Sequence, residues 1–158
     1  MSNDTESSPQ IQVSVQFEDF NLGIEYQGIK NRDQGQGAVV TFSGLVRDNN
    51  LGQNVTGLYL EHYPGMTQKC LEDICEQACK RWELAAVTVI HRVGELSLNE
   101  QIVFVGVSAK HRKSAFQGCE FIMDYLKTQA PFWKKERFAD GEAWVEAKQS
   151  DQQAANKW

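Results

Sequence analysis

The chain has 158 residues, 41% of them hydrophobic, and a formal net charge of −5. That is enough for one globular domain with its own core, and no apolar run approaches the roughly 20 residues needed to span a bilayer. The acidic balance argues against long nucleic acid as the main partner, because the body of the chain would repel it.

In chain order, the start "MSNDTESSPQ" (1–10) is polar and acidic and lacks an apolar signal-peptide segment. It reads as a disordered leader on a cytoplasmic protein. Strands are expected where β-branched and aromatic residues cluster between Gly, Asn and Asp. These are "IQVSVQF" (11–17), "AVVTFSGLV" (38–46), "VTGLYLEHY" (55–63), "AAVTVIHRV" (85–93), "IVFVGVSA" (102–109) and a short "EAWVEAK" (142–148). Two main helices are expected. Residues 66–82 place Cys70, Leu71, Ile74, Cys75 and Ala78 on one face, and residues 113–128 do the same with Phe116, Cys119, Ile122, Met123 and Leu126. Pro131 ends the second, because proline disfavours helical geometry in the residue before it. The "PFWKKE" that follows is expected as a loop held by its aromatics. No repeat or linker divides the chain, so residues 11–150 form a single α+β domain with a tail at 151–158.

The four cysteines fall in the two helices: Cys70, Cys75 and Cys79 in the first, Cys119 in the second. Their spacings lack the CxxC pattern of zinc sites and fit small buried residues in a reducing compartment. No metal or cofactor is expected.

Charge is uneven. Residues 110–137 hold seven basic side chains against three acids, a balance of +4, which leaves −9 on the rest of the chain. A cationic island on an acidic body suits a small anion or an acidic partner surface. Within it, "AKHRKSAF" (109–116) sits where a strand ends and a helix begins. An anion site at the helix N-terminus and a solvated basic turn fit that stretch equally well. Lys127 lies in the last helical turn, where a lysine complements the dipole. Lys134 follows Pro-Phe-Trp, and apolar rings beside an ammonium strip its hydration and lower its pKa toward a range useful for catalysis. Arg47 ends the first long strand. His62 and His91 sit near strand ends without Cys or carboxylate partners at ligand spacing. There is no Ser-His-Asp signature, P-loop or GxGxxG. From the residues alone, a binding module for a phosphorylated ligand or RNA and a catalytically silent scaffold remain open beside an enzyme.

Long stretches resemble the large, catalytic subunit of molybdopterin synthase: "GAVVTFSGLVRDNN", "LEHYPGM", "VIHRVGEL", "VFVGVSAKHRKSAF", "FIMDYLKTQAPFWKKE" and "WVEAKQSDQQAANKW". The resemblance runs from about residue 11 to Trp158. It implies an α/β-hammerhead fold with a mixed, mostly antiparallel sheet. It also implies a central homodimer that carries a small sulfur-carrier subunit at each end, making a heterotetramer. The implied reaction moves two sulfurs from the carrier's C-terminal Gly-Gly thiocarboxylate to a cyclic pyranopterin monophosphate, precursor Z. Position by position, Lys127 and Lys134 match catalytic lysines. Leu45, Val46, Arg47, His111, Arg112, Lys135 and Glu136, with both lysines, match substrate-binding positions. Phe42, Met123 and Lys148 match pocket-lining positions. His111 and Arg112 are expected to serve the neighbouring protomer's pocket. At Lys148 the pattern calls for arginine, and a lysine cannot supply arginine's bidentate contact to phosphate.

Overall fold

A computed structural model describes residues 8–50, 53–145 and 149–158. The described residues form nine strands and four helices. In chain order they are β1 (Gln10–Gln16), α1 (Leu22–Arg32), β2 (Ala38–Leu45), β3 (Asn49–Asn50), β4 (Gln53–His62), α2 (Met66–Trp82) and β5 (Ala86–Arg92). Then follow β6 (Gly94–Ser97), β7 (Gln101–Ala109), α3 (Arg112–Gln129), β8 (Phe132–Phe138), β9 (Gly141–Val145) and α4 (Gln149–Asn156). Of the expected leader, residues 1–7 lie outside the described residues, and Gln10 already belongs to β1.

The first sheet has the order β1-β5-β7-β2, with β1 and β5 parallel and the other pairs antiparallel. Every residue of β5 is buried, because helices cover both faces. Val87 and Val89 join Val103, Val105 and Val107 of β7 under α2 and α3. The intervening Ala86 and Ile90, with Phe104, pack on the other face against Phe20 and Ile29 beside α1. Such a run reads in the sequence as continuous apolarity rather than alternation.

The second sheet has the order β3-β4-β8-β9, and β6 pairs with β4 from the side. The chain crosses between the sheets within two residues, from Arg92 to Gly94. Gly94 takes φ +85°, a left-handed conformation open to glycine at little cost. Val46, Leu58, Leu60, Val93 and Leu96 make a small second core where the two sheets meet.

The α+β class, the mostly antiparallel sheets and the two long helices match the expectation. The main departure is "PFWKKE", expected as a loop. Phe132–Phe138 is a full strand paired antiparallel to β4 on one side and β9 on the other. Consecutive charges hide the two-residue period in the sequence, and the partner strand lies far away in the chain. Helices α1 and α4 were also unexpected. In α1 only Ile29 is fully buried, so no apolar stripe announces it; Asn21 caps it by accepting from the Ile24 N–H. The expected late strand is β9, and residues 146–148, Lys148 among them, lie outside the described residues.

Helix α4 is held by the last residue. The Trp158 ring meets Trp82 and Phe121 edge-on at 5.3 and 5.9 Å, and its Nε1–H donates to Asp124 Oδ2 at 2.6 Å. Arg81 donates to the Trp158 carbonyl at 3.1 Å. Trp158→Ala is therefore expected to cost about 2 kcal/mol, less than a fully buried tryptophan because the ring is only half-buried. In a chain of this size the melting temperature should fall by about 5 °C. An unchanged melting temperature would mean that α4 is held by something other than this clamp.

Candidate active site

A cleft of about 530 Å³ opens where the C-terminal end of α3 meets the second sheet. Its floor is apolar: Leu58 and Leu60 of β4, Ile102 of β7, Leu126 of α3 and Phe132 of β8. Around this floor stand the ionisable groups Arg47, His91, Lys127, Lys134, Glu136 and Asp151. Cations above an apolar floor suit a small anionic ligand with a flat, weakly hydrated body.

Strand β8 sorts its side chains by parity, as a strand must. Phe132, Lys134 and Glu136 line the cleft, whereas Trp133, Lys135 and Arg137 do not. Lys135 is engaged on the opposite face: its Nζ lies 3.5 Å from Glu142 and 4.7 Å over the Trp144 ring. Arg137 pairs there with Glu95 at 2.6 Å and with Glu142 at 3.6 Å. Register places Lys134 opposite Leu60 and Glu136 opposite Leu58, two buried leucines of β4. Glu136 is 2% exposed, and its Oε1 lies 3.7 Å from the Lys134 ammonium. A carboxylate so buried would be costly alone, so the cation beside it is part of how the strand tolerates it.

Lys127 arrives from the last turn of α3, whose apolar residues Ile122 and Leu126 anchor the helix in the main core. Phe42, Leu45, Val46 and Arg47 come from the end of β2 and the residues just after it. Phe42 and Leu45 expose much of their surface, Val46 is buried in the small core, and Arg47 is exposed at the rim. One cleft thus gathers Phe42, Leu45, Val46, Arg47, Lys127, Lys134 and Glu136. Of the rest of the expected set, Lys148 lies outside the described residues and the others fall elsewhere. Met123, one turn before Lys127, is half-buried against the main core rather than lining the cleft. His111 and Arg112 are exposed at the N-terminus of α3, with His111 as its N-cap. From Arg112 to Lys127 the helix rises about 23 Å, so both ends of α3 cannot touch one small ligand within a single chain.

Two ionisable lining residues were not expected as site residues, and neither were the apolar residues of the floor. Asp151 comes from α4. His91 follows Val87 and Val89 on the face of β5 that packs under α2 and α3, and a titratable residue in that apolar series was the signal available. Its Nδ1 lies 2.9 Å from the carbonyl oxygen of Arg92, which can only accept, so Nδ1 carries the hydrogen. The ring stacks on Phe132 with centroids 3.8 Å apart and planes 20° apart. Burial pushes its pKa down to about 4; the bond to Arg92 opposes the shift, and the charges of Lys127 and His62 reinforce it. The buried thiols contrast with this: burial pushes Cys79 and Cys119 up to about 12, which keeps them protonated and unreactive. Among the described residues no group of three His, Cys, Asp or Glu side chains is placed to hold a metal.

This is an α+β scaffold that brings cations from a helix end and a strand over an apolar floor, a site suited to a small anionic ligand. Comparison with known proteins narrows this. The profile of the MoaE protein family matches residues 15–129, and the chain belongs to that family. It is 58% identical over 146 residues to the molybdopterin synthase catalytic subunit of Vibrio cholerae, spanning 92% of this chain and 97% of that protein. Among solved structures, the molybdopterin biosynthesis MoaE protein of Burkholderia ambifaria superposes with a TM-score of 0.81 at 46% identity, covering 94% of this chain and 98% of that one. The fold also extends to a Helicobacter pylori complex of subunits 1 and 2 of molybdopterin-converting factor. The match there has a TM-score of 0.69 at 19% identity, over 86% and 90% of the two chains. No helix among the described residues is long and apolar enough to cross a membrane.

The state of His91 has a consequence for acid stability. Its folded pKa lies below the ordinary value of 6.5. As pH falls from about 6.5 toward 4, the unfolded chain gains a proton that the folded chain refuses, so stability drops across that window; above it the group contributes nothing. Between pH 7 and pH 5 the loss from this residue should be about 2 kcal/mol. His91→Gln should remove that part of the loss in denaturant unfolding. Equal losses in wild type and variant would show that His91 does not titrate as described.

Proposed function

We propose that this chain is the catalytic subunit of a molybdopterin synthase, a sulfurtransferase of molybdenum cofactor biosynthesis. It binds precursor Z in the cleft and receives sulfur from the thiocarboxylated Gly-Gly C-terminus of a small carrier subunit. It works in the cytoplasm as the homodimeric centre of a heterotetramer. The observation that carries this reading is the convergence of Lys127 and Lys134, from two different elements, on one cleft with an apolar floor.

The chemistry asks for such a site. The substrate bears a phosphate, and the donor ends in an anion, so both need cations. In each transfer the thiocarboxylate sulfur bonds to a carbon of the pyranopterin side chain as that carbon's bond to oxygen breaks, the oxygen leaving with the phosphate or, once protonated, as water. Water then cleaves the bond between that sulfur and the carrier's carbonyl carbon, and the carrier leaves as a carboxylate. Negative charge builds on the acyl oxygen during this cleavage. Preorganised ammonium groups over a weakly polar floor stabilise that charge more than water does. Lys127 is assigned to the thiocarboxylate and the charge developing on it. Lys134, held beside Glu136, serves as the second electrostatic clamp or as general acid and base. Arg47 at the rim suits the phosphate, for which a guanidinium offers two parallel hydrogen bonds. His111 and Arg112, too far along α3 to reach the same ligand, serve the pocket of the neighbouring protomer.

Assembly tests the geometry. The purified chain should be a dimer in solution, and adding carrier should give a heterotetramer; a monomer that stays one-to-one with carrier would break it.

Lys127→Ala and Lys134→Ala should each cut single-turnover dithiolene formation by about a hundredfold or more. Loss of the terminal charge at Lys127 should cost at most about 1 kcal/mol of stability. Lys135→Ala is the control, because that ammonium lies on the far face of β8 with Glu142 and Trp144. The assay mixes each variant with thiocarboxylated carrier and precursor Z. Near-normal turnover in both the Lys127 and Lys134 variants would sink the catalytic reading.

A further inference from the structure

His91 stands on the cleft wall with its tautomer and ring orientation set by the fold. Strand pairing fixes its backbone between β1 and β7, opposite Val15 and Val103. The Arg92 carbonyl takes the Nδ1 hydrogen, and Phe132 stacks against the ring and limits its rotation. With Nδ1 protonated and the imidazole neutral, Nε2 keeps its lone pair. Of the other side chains that bear charge or titrate around the cleft, Arg47, Lys127 and Lys134 are cations and donate. Glu136 and Asp151 accept but carry charge, and Glu136 already faces Lys134. Among the described residues that line the cleft, His91 is therefore the one that offers an uncharged ring acceptor.

A phosphorylated pterin presents two kinds of group. The phosphate calls for cations. The pterin ring presents amide and amine N–H donors, which cations cannot satisfy and which lose water on entering an apolar cleft. Each such donor left unpaired would cost binding energy. We propose that Nε2 of His91 accepts a hydrogen bond from a pterin-ring N–H of the bound substrate, so that this residue reads the ring while the cations read the phosphate. The inference rests on the function proposed above and adds to it the group that recognises the heterocycle.

A neutral acceptor also serves better here than a carboxylate. A second buried anion would compete with the substrate phosphate and the carrier's thiocarboxylate for the same lysines. A charged imidazolium would be a donor and would repel a ring N–H. Burial and the neighbouring charges of Lys127 and His62 keep the imidazole neutral throughout the pH range above about 5.

The test uses the full-length chain and two variants. His91→Phe keeps a ring against Phe132 and removes the acceptor; His91→Gln restores an oxygen acceptor near the position of Nε2. Binding is measured for precursor Z, for inorganic phosphate and for carrier, together with kcat and KM in dithiolene formation. His91→Phe should weaken precursor Z about tenfold or more, leave phosphate and carrier affinity within twofold, and raise KM far more than it lowers kcat. His91→Gln should recover most of that affinity. The ratio of wild-type to His91→Phe affinity should stay constant from pH 6 to pH 8, because a group titrating near 6.5 would make it vary. Equal precursor Z affinity in wild type and His91→Phe overturns the proposal, as does a loss of kcat without loss of affinity. If precursor Z does not bind the wild-type chain at all, the functional reading itself fails, and that outcome is seen before any variant is compared. A fall in melting temperature common to both variants with unchanged ligand affinities would mark the residue as structural only and overturn the proposal as well.

Discussion

The pairing of β8 with β4 is the constraint on which the site depends. It sets Lys134 opposite Leu60 and Glu136 opposite Leu58, so both charged side chains share the face that looks into the cleft. A slip of one residue would turn Lys135 and Trp133 inward and send Lys134 to the solvent face, because strand side chains alternate with a period of two. What holds the register is apolar. Phe132 stacks on His91 at one end of the strand and also packs against the small core of Val46, Leu58, Leu60, Val93 and Leu96. On the far face Lys135 lies over Trp144 and Arg137 pairs with Glu95 and Glu142, giving the outward side chains partners of their own. The cationic cleft is thus a by-product of hydrophobic register.

Electrostatics then decides what such a cleft tolerates. Three cations near one another would repel if nothing offset them. The buried Glu136 carboxylate, 3.7 Å from Lys134, offsets part of that charge before any ligand arrives. The cation held beside it offsets part of the cost of burying it. A neutral His91 adds hydrogen-bonding capacity without changing the charge balance. Positive charge is thereby kept for an incoming anion, while the floor stays apolar enough to strengthen whatever attraction remains.

Much of the fold was legible in the sequence, for a physical reason. The two long helices bury regular apolar faces on one side of the first sheet, and periodicity of that kind survives in the residues themselves. The strands of that sheet, buried on both faces, read as continuous apolar runs. Elements stabilised by distant partners were not legible. Strand β8 looks like a charged loop until Leu58 and Leu60 are seen across from it, and α4 depends on Trp158 lodging against Trp82 and Phe121. At the site, a resemblance between sequences pointed to the residues that converge, Arg47, Lys127, Lys134 and Glu136, but could not say which face of β8 each neighbour takes. His91 was seen in the sequence but not placed in the site, because a lone histidine in a strand carries no ligand spacing. The role proposed for it rests on the ring stacked on it, the carbonyl in front of it and the cleft beside it.

The remaining constraint is length. Helix α3 carries basic groups at both ends, Arg112 at the first residue and Lys127 in the last turn. Some 23 Å of helix separates them, and the intervening residues Ala115, Cys119, Ile122 and Leu126 are packed against the sheet. The helix cannot bend to bring its ends together without giving up that packing. Cations at a helix N-terminus oppose the dipole, a cost that an anion bound there removes. If one small ligand is to meet both groups, the second must come from another copy of the chain, placed so that the start of its α3 faces the first copy's cleft. The edge position of β2 in the first sheet and the exposed Phe42 and Leu45 at its cleft end favour such an arrangement. Unpaired edge strands with exposed apolar side chains are surfaces that proteins tend to cover. Completing the site and covering that edge would then be one event, which ties catalysis to assembly without any moving part.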